Sequence, residues 1–318
     1  MRAMTRPGNS ERPPALDAAA FTALYERLRR ATPWGPEDRR GGLNYITPAQ
    51  VLAAAGQVRL GRTVTLEAPI ESTAAPDNPE PAVDEMMATG DQADPAGLTF
   101  ARDRLSMNVH GNADSHIDAL CHVMYRARLY NDVPADTVTS AGADELSIEL
   151  ASNGIVGRGV LLDIPRLHGV RWLEPGDHVT ADDLTQAEAA QGVRVGEGDL
   201  LFVRVGHRER RNAMGPWDSA ASRAGLHPTA MQFVADRKVA ALGSDSNNDT
   251  APSAAEGVDF PVHVLALNAM GLHLLDWLQF DDLVPLCAEA GRWSFCCVIA
   301  PLRLERGTGS PVNPIAIL

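Results

Sequence analysis

Four residues whose side chains can bind a metal ion or move a proton lie within thirteen positions of this chain: His110, His116, Asp118 and His122. They occur in NVHGNADSHIDALCHVMYRARLYND, residues 108–132, where apolar residues separate the polar ones. A solvated loop does not need those apolar residues, and an ordinary core segment does not contain the charges. The mixture predicts polar groups held in a buried or half-buried place, and chemistry is the usual reason for such burial.

The order of these residues suggests how they could converge. In a strand, side chains two positions apart project to one face, so His116 and Asp118 would lie together. The following ALCHVMYRARLY has the composition of a helix start, and one helical turn would bring His122 over the same pocket. Gly111 allows the chain to bend sharply and return His110 to the site.

Imidazole nitrogens and carboxylate oxygens are ligands of divalent cations, with zinc the first expectation and manganese nearly as suitable. The pattern H-x-D alone arises often by chance, and a lone histidine in an apolar run is more often a core residue than a ligand. Four potential ligands on one short segment are costly to bury without a cation or substrate to organise them. The cluster therefore predicts a divalent metal ion, zinc or manganese, and a small-molecule substrate.

The elements that must position these groups are short apolar strands interspersed with helical stretches. Runs typical of strands are RTVTLEAPI, GIVGRGVLLDI, DLLFVRV, KVAALGSD and FCCVIAPLRL, and runs typical of helices are TADDLTQAEAAQ, HPTAMQFVADR and part of PVHVLALNAMGLHLLDWL. This pattern predicts an α/β fold, a single domain with a mixed sheet flanked by helices. Residues 1–33 are predicted to be a partly helical N-terminal extension, 34–318 the domain itself, and 74–97 a long acidic loop.

Composition and missing motifs exclude several functions. The formal net charge of −13 over 318 residues disfavours a nucleic-acid partner. No apolar run has the length of a membrane span and no secretory signal is apparent, so we expect a cytoplasmic protein without a membrane partner. The four cysteines form no C-x-x-C pair. The chain also lacks a G-x-S-x-G elbow, a phosphate-binding G-x-x-x-x-G-K-[ST] loop and a dinucleotide-binding G-x-G-x-x-G motif.

Two segments resemble a known family. SHIDALCHV resembles the T-H-x-D-A-x-x-H signature of the cyclase family, which includes arylformamidases (kynurenine formamidases) and isatin hydrolases. WGPEDRRGGLNYITP, residues 34–48, resembles that family's W-G-x-x-D-x-x-G-x-x-N segment, and further similar blocks follow as far as Leu304. The resemblance implies a swivelling β/β/α fold and a homodimer or homotetramer. It also implies a metal-dependent hydrolase that acts on an amide, lactam, lactone or other ester carbonyl.

The resemblance further implies roles for individual residues. His116 and Asp118 would be metal ligands, and His122 would be the histidine that acts as acid and base. His263 and Asp276, the latter expected on a later helix, would complete a site for two metal ions.

Three positions depart from the family pattern. Asn112 stands where the formamidases have a histidine, which leaves His110 as the nearest candidate ligand. Ser115 replaces the usual threonine and keeps the hydroxyl, while Asp276 stands where the formamidases have a glutamate. Because an aspartate side chain is shorter, we expect one tightly held ion rather than two.

Three other residues are candidates for contact with the substrate. Trp34 and Tyr125 could line an aromatic pocket, or could equally pack in the core or at the rim. Asp245 follows an apolar strand, where ligand-facing residues tend to collect, although a turn or a helix cap is the competing interpretation.

The leading hypothesis is a hydrolase in which a metal-activated water attacks the carbonyl and a histidine serves as acid and base. One alternative is a cyclase or dehydratase that acts on a biosynthetic intermediate with the same ion. The other is a metal-stabilised binding protein without turnover. His122→Ala separates the enzyme from the binding protein, because an enzyme would lose turnover and keep its metal.

Overall fold

The computed structural model describes residues 13–318. Its helices are α1 (Ala18–Arg30), α2 (Pro48–Ala55), α3 (Ile164–His168), α4 (Ala181–Gln191), α5 (His207–Met214), α6 (Ala230–Asp236), α7 (Pro261–His263), which continues as the π-helical segment Val264–Met270, and α8 (Leu283–Ala290). Its strands are β1 (Thr63–Thr65), β2 (Val83–Ala88), β3 (Arg102–Ser106), β4 (His116–Asp118), β5 (Val138–Thr139), β6 (Gly142–Ala143), β7 (Ile155–Asp163), β8 (His178–Val179), β9 (Leu200–Arg204), β10 (Gly225–Leu226), β11 (Ala241–Ser244), β12 (His273–Asp276), β13 (Ser294–Ile299), β14 (Gly309–Pro311) and β15 (Ile315–Ile317). Short 3-10 segments occupy Gly41–Tyr45, Gly90–Gln92, Tyr130–Asp132, Ala135–Thr137 and Ile148–Ala151. Within the described residues, no helix is both long and apolar enough to cross a membrane.

One nine-stranded sheet organises the molecule, in the order β1-β15-β13-β7-β9-β11-β12-β4-β14. The four consecutive strands β7, β9, β11 and β12 run parallel, and the strands on both sides of them pair antiparallel. Strand β9 is buried along its whole length, which explains why LLFVR and its neighbours are nearly continuous apolar runs. The predicted α/β fold with a mixed sheet flanked by helices is confirmed.

The carboxyl ends of the parallel strands carry buried polar residues. Asp163 ends β7 and pairs at 2.9 Å with Arg204, which ends β9. Asp276 ends β12, and β11 runs directly into the polar segment 245–250. Polar groups gathered at this edge of a parallel sheet are typical of ligand sites in α/β proteins.

Helix α1 lies within the predicted extension and packs on the main core. Asp17 caps its first turn by accepting a hydrogen bond from the N–H of Ala20. Its apolar face joins the same hydrophobic cluster as the central strands and consists of Phe21, Leu24, Tyr25 and Leu28. The part of the predicted extension before residue 13 lies outside the described residues.

The prediction of a long loop over residues 74–97 is wrong in part. Val83–Ala88 pairs antiparallel with Arg102–Ser106, and this hairpin exposes its side chains on both faces. A strand with neither face buried shows no alternation of apolar and polar residues, so the sequence gives no signal for it. Leu98 and Phe100, between the two strands, are 82% and 66% exposed.

The prediction of a helix after Asp118 is also wrong. The N–H of His122 donates to the carbonyl of Ala119 at 3.0 Å, which closes a single turn. Arg126 and Ala127 then adopt φ of +52° and +55°, which a right-handed helix does not allow. His122 therefore reaches its position from a turn.

Candidate metal centre

Two neighbouring strands bring three of the predicted ligands together. Strand β4 places His116 and Asp118 on one face, while Ile117 between them points into the core and is fully buried. Strand β12 lies antiparallel to β4, with Asp276 opposite His116. The ligand atoms of His116, Asp118 and Asp276 all lie within 4.8 Å of one another. Asp276 is thus on a strand and not on a helix, because the helical segment before it ends at Met270.

Asp118 lies at the centre of this site. Its Oδ1 is 2.9 Å from Nδ1 of His110 and 3.6 Å from Nε2 of His116, and its Oδ2 is 3.4 Å from Nε2 of His263. Burial raises the pKa of Asp118, but the histidines around it, His122 foremost, outweigh burial and hold that pKa well below its usual value. Within residues 13–318, its buried Oδ2 has no hydrogen-bond partner. An unsatisfied buried carboxylate oxygen is costly, and a bound cation would satisfy it.

His116 is held in the tautomer that leaves Nε2 available. Its Nδ1 lies 2.9 Å from the backbone carbonyl of Asp114 and donates to that oxygen. Because Nδ1 is directed at that carbonyl, Nε2 is the nitrogen on the side of Asp118. A carbonyl acceptor behind the ring is a common arrangement for histidines that bind metals.

His263 enters the site from α7 and faces the two carboxylates. Its Nε2 lies 3.4 Å from Oδ2 of Asp118 and 3.3 Å from Oδ2 of Asp276, while its Nδ1 lies 2.6 Å from Oδ2 of Asp249. Burial alone would lower the pKa of His263, but the carboxylates around the ring, Asp276 foremost and then Asp118 and Asp249, hold that pKa well above its ordinary value. The space between Asp118 and Asp276 therefore favours positive charge.

His110 and His122 stack on each other, with ring centroids 3.7 Å apart and planes at 10°. Both nitrogens of His110 are engaged, Nδ1 with Asp118 and Nε2 with the hydroxyl of Thr308 at 3.0 Å. His110 therefore braces Asp118 in this arrangement, and its role as a ligand stays a prediction. Burial lowers the pKa of His122 to about 4 against the opposing effect of Asp118, so that its imidazole is neutral near pH 7.

The donor set fits a divalent cation. Two buried carboxylates, an imidazole whose Nε2 faces them and, among the described residues, an Asp118 oxygen without a hydrogen-bond partner are donors that a divalent cation can bind. A second set of atoms within 4.8 Å of one another comprises His110, Asp118 and His122. Asp276 lies within reach of the same place as Asp118 and His116 in spite of its short side chain.

A pocket of about 450 Å³ opens in front of these residues. Its walls combine the polar groups of the site with an apolar side formed by Val123, Met124, Val258, Phe260 and Val264. Its polar lining residues are His110, Asn112, His116, His122, Asn247, Asp259, His263 and Asp276. Among residues 13–318, neither an arginine nor a lysine lines this pocket.

The structure places the two predicted aromatic contacts away from the pocket. Trp34 packs edge-on against Tyr45 with ring centroids 4.9 Å apart. Tyr125 packs against Phe21 and Tyr25 at centroid distances of 6.2 and 5.0 Å. Both rings are thus engaged with other aromatic side chains of the protein, although the segment of Tyr125 follows the pocket residues directly.

Asp245 likewise does not join the metal centre. It is fully buried after β11, and its carboxylate accepts hydrogen bonds from the backbone N–H groups of Val205, Gly206 and His207 at 2.7, 2.8 and 3.0 Å. Those three N–H groups stand at the start of α5. Asp245 therefore caps this helix, which is the alternative to a substrate contact that the sequence left open.

Several residues that orient the site are not apparent as site residues in the sequence. Asn247 and Asn248 each donate a side-chain N–H to one oxygen of Asp276, both at 2.6 Å, and Asp249 holds His263. Their signal is the dense polar run S-D-S-N-N-D directly after an apolar strand.

His273 at the start of β12 is also buried, and among the described residues neither of its ring nitrogens has a hydrogen-bond partner.

Residues 40–248 match a family model described as a putative cyclase, and the chain belongs to this cyclase family. A solved structure described as a novel cyclase is 31% identical and has a TM-score of 0.81, with 92% of this chain and 99% of that chain covered. A solved isatin hydrolase with the product analogue thioisatinate bound is 20% identical over 86% of this chain and 99% of that chain, with a TM-score of 0.56, and shows the shared fold. The isatin hydrolase of Roseibium aggregatum is 24% identical over 147 residues, which are 45% of this chain and 53%, about half, of that relative.

Proposed function

We propose that this protein is a metal-dependent hydrolase that cleaves an amide, lactam or lactone carbonyl. The observation that carries the proposal is the pair of buried carboxylates, Asp118 and Asp276, beside the free Nε2 of His116, with one carboxylate oxygen unsatisfied. The cyclase family model and the partial match to an isatin hydrolase support the hydrolase class.

A single divalent ion, zinc or manganese, would be held by His116, Asp118 and Asp276, with His263 adjacent. When bound, such an ion polarises a carbonyl oxygen and lowers the pKa of a water molecule. The residues of the chain hold these carboxylates in place, because Asp118 and Asp276 are fully buried and hydrogen-bonded to imidazole and amide groups.

His122 is the residue that would move the proton. It lines the pocket, and its neutral imidazole can accept a proton from the attacking water near pH 7. The water oxygen forms a bond to the carbonyl carbon, the C–N or C–O bond breaks, and the proton from His122 goes to the leaving nitrogen or oxygen. The stacked ring of His110 fixes the orientation of His122 during this transfer.

The apolar side of the pocket favours a substrate with an apolar body. Phe260 and Met124 are 47% and 48% exposed at the pocket, and Val258 and Val264 continue the same side. Apolar walls that face a few polar groups are typical of sites for small organic molecules. The described part of the chain contributes no arginine or lysine to the lining, which favours substrates without a carboxylate.

The test combines metal content with turnover. We expect the purified protein to contain about one equivalent of zinc or manganese by elemental analysis, and to hydrolyse at least one member of a panel of aryl amides, lactams and lactones. Chelation should abolish turnover, and re-addition of the metal should restore it. Folded protein that takes up no metal after reconstitution would contradict the proposal, and metal-loaded protein that binds panel members without turnover would support a binding protein instead.

A further inference from the structure

Behind the pocket, Asp249 is fully buried and all of its carboxylate contacts are directed at one helix start. Its Oδ1 accepts from the N–H of Val262 at 2.7 Å. Its Oδ2 accepts from the backbone N–H of His263 at 3.0 Å and lies 2.6 Å from Nδ1 of the same residue. One carboxylate thus caps α7 and holds the His263 ring.

The contact with Nδ1 decides which nitrogen of His263 faces the site. A carboxylate is an acceptor only, so Nδ1 must carry a hydrogen, and Nε2 is the atom presented to Asp118 and Asp276. Carboxylates in this position behind a histidine fix both its tautomer and its orientation at metal sites.

The buried side chain of Arg223 links Asp249 to Asn247, the residue that donates a hydrogen bond to Asp276. Nε of Arg223 donates to the backbone carbonyl of Asp249 at 2.9 Å, and Nη2 donates to Oδ1 of Asn247 at 2.9 Å. The side-chain amide of Asn247 then donates to Oδ2 of Asp276 at 2.6 Å. Arg223 is 3% exposed, and its Nη1 donates to the carbonyl of Ser219 at 3.0 Å.

We propose that Asp249 and Arg223 are positioning residues of the metal centre, Asp249 by orienting His263 and Arg223 by fixing Asp249 and Asn247 together. One guanidinium then sets the relative placement of His263 and Asp276, which belong to different elements. This inference rests on the proposed function in so far as His263 and Asp276 serve the bound cation.

Two variants test the proposal. Asp249→Asn removes the charge and leaves one amide oxygen for contacts that two carboxylate oxygens now make. Arg223→Lys keeps the charge, but an ammonium group cannot reproduce the planar arrangement that bonds Asp249 and Asn247 together. Asp199→Asn is the matched control. Asp199 is also a buried aspartate, and its carboxylate accepts from a backbone N–H and from an arginine. It precedes β9 and therefore lies at the opposite end of the sheet from the metal centre.

The first readout is metal affinity, measured by competition with a chelator for zinc and for manganese. We expect Asp249→Asn and Arg223→Lys to weaken binding by about 10- to 100-fold, the range for residues that orient metal ligands, and Asp199→Asn to leave it unchanged. The second readout is the ¹⁵N NMR spectrum of the His263 ring in metal-free protein. The wild type should show an Nδ1 that carries a proton hydrogen-bonded to Asp249, and Asp249→Asn should lose the signature of that hydrogen bond.

The outcomes separate this inference from the proposed function. Wild-type protein that binds neither metal would overturn the proposed function, whereas the hydrogen bond from Nδ1 of His263 to Asp249 can still be detected without metal. If the wild type binds metal and both site variants bind it with unchanged affinity, the positioning role is wrong. If Asp249→Asn does not fold, Arg223→Lys decides the question by the affinity measurement alone.

Discussion

Asp118 and Asp245 are both fully buried aspartates, yet their surroundings give them opposite properties. Asp245 accepts from three backbone N–H groups, and burial raises its pKa to about 6 despite the nearby Arg204. Asp118 is surrounded by histidines that hold its pKa well below the usual value, and one of its oxygens has no hydrogen-bond partner among the described residues.

The difference shows which feature of a buried acid indicates chemistry. Burial alone does not, because Asp245 is as deeply buried as Asp118 and its oxygens are occupied by the backbone that it caps. A buried carboxylate oxygen without a hydrogen-bond partner, next to titratable ring nitrogens, does indicate chemistry. Such an oxygen destabilises the fold and forms no contact that would offset this effect. The following predictions test this distinction.

Replacing each aspartate by alanine should give the largest contrast. Asp118→Ala should abolish metal binding and turnover while the fold is kept, because it removes the residue on which His110, His116 and His263 converge. Asp245→Ala should keep the metal but lower the free energy of unfolding by about 2 kcal/mol, since it removes a cap. Elemental analysis and urea unfolding measure the two effects. If Asp118→Ala still bound metal, the proposed difference between Asp118 as a metal ligand and Asp245 as a helix cap would be contradicted.

His122→Ala should lower kcat by about 10²- to 10⁴-fold, the usual contribution of a general acid or base. Its metal content should stay at the wild-type level, because this role needs no bond to the cation. His168→Ala, a histidine that pairs with Asp183 outside the site, is the control and should leave kcat unchanged. Loss of metal in His122→Ala would instead make His122 a ligand, as its closeness to His110 and Asp118 allows.

The raised pKa of Asp245 predicts a specific dependence of stability on pH. Its ordinary value near 3.9 applies to the unfolded chain. Between about pH 4 and pH 6 the folded protein therefore keeps a proton that the unfolded chain has released, so stability falls as pH rises through this window. The stability difference between wild type and Asp245→Asn should change by about 2–3 kcal/mol from pH 4 to pH 6.5 and then level off. Urea unfolding at four pH values measures it, and a difference that does not vary with pH would contradict the raised pKa.

The strands that carry the site could be predicted because their signal is local. The apolar runs of β7, β9 and β11 mark buried strands, and the alternation in S-H-I-D places His116 and Asp118 on one face. His263 and Asp276 were accessible only through resemblance to the family, since nothing in their own surroundings marks them as ligands.

The remaining features depend on contacts between distant segments. The turn that carries His122 replaces a helix because Arg126 and Ala127 take left-handed conformations, which neither residue type signals. Asp245 and Asp249 stand four residues apart in one polar run, yet one caps α5 and the other orients His263. Which donors each carboxylate meets is decided by the packing of α5 and α7 against the sheet edge, and this packing has no counterpart in the local sequence.

The smallest expected effect concerns Asp259. Unlike the buried Asp118 and Asp245, this residue is exposed and lines the mouth of the pocket. Because no arginine or lysine of the described residues lines the pocket, the charge of Asp259 should favour cationic over anionic substrates. An exposed charge contributes at most about 1 kcal/mol, so Asp259→Asn should shift the kcat/KM ratio between ammonium- and carboxylate-substituted anilides by about two- to fivefold towards the carboxylate. The shift should shrink at high salt, which screens exposed charges. Glu256→Gln removes an exposed acid that does not line the pocket and should leave the ratio unchanged, and an equal shift in both variants would assign the effect to net charge instead of to Asp259.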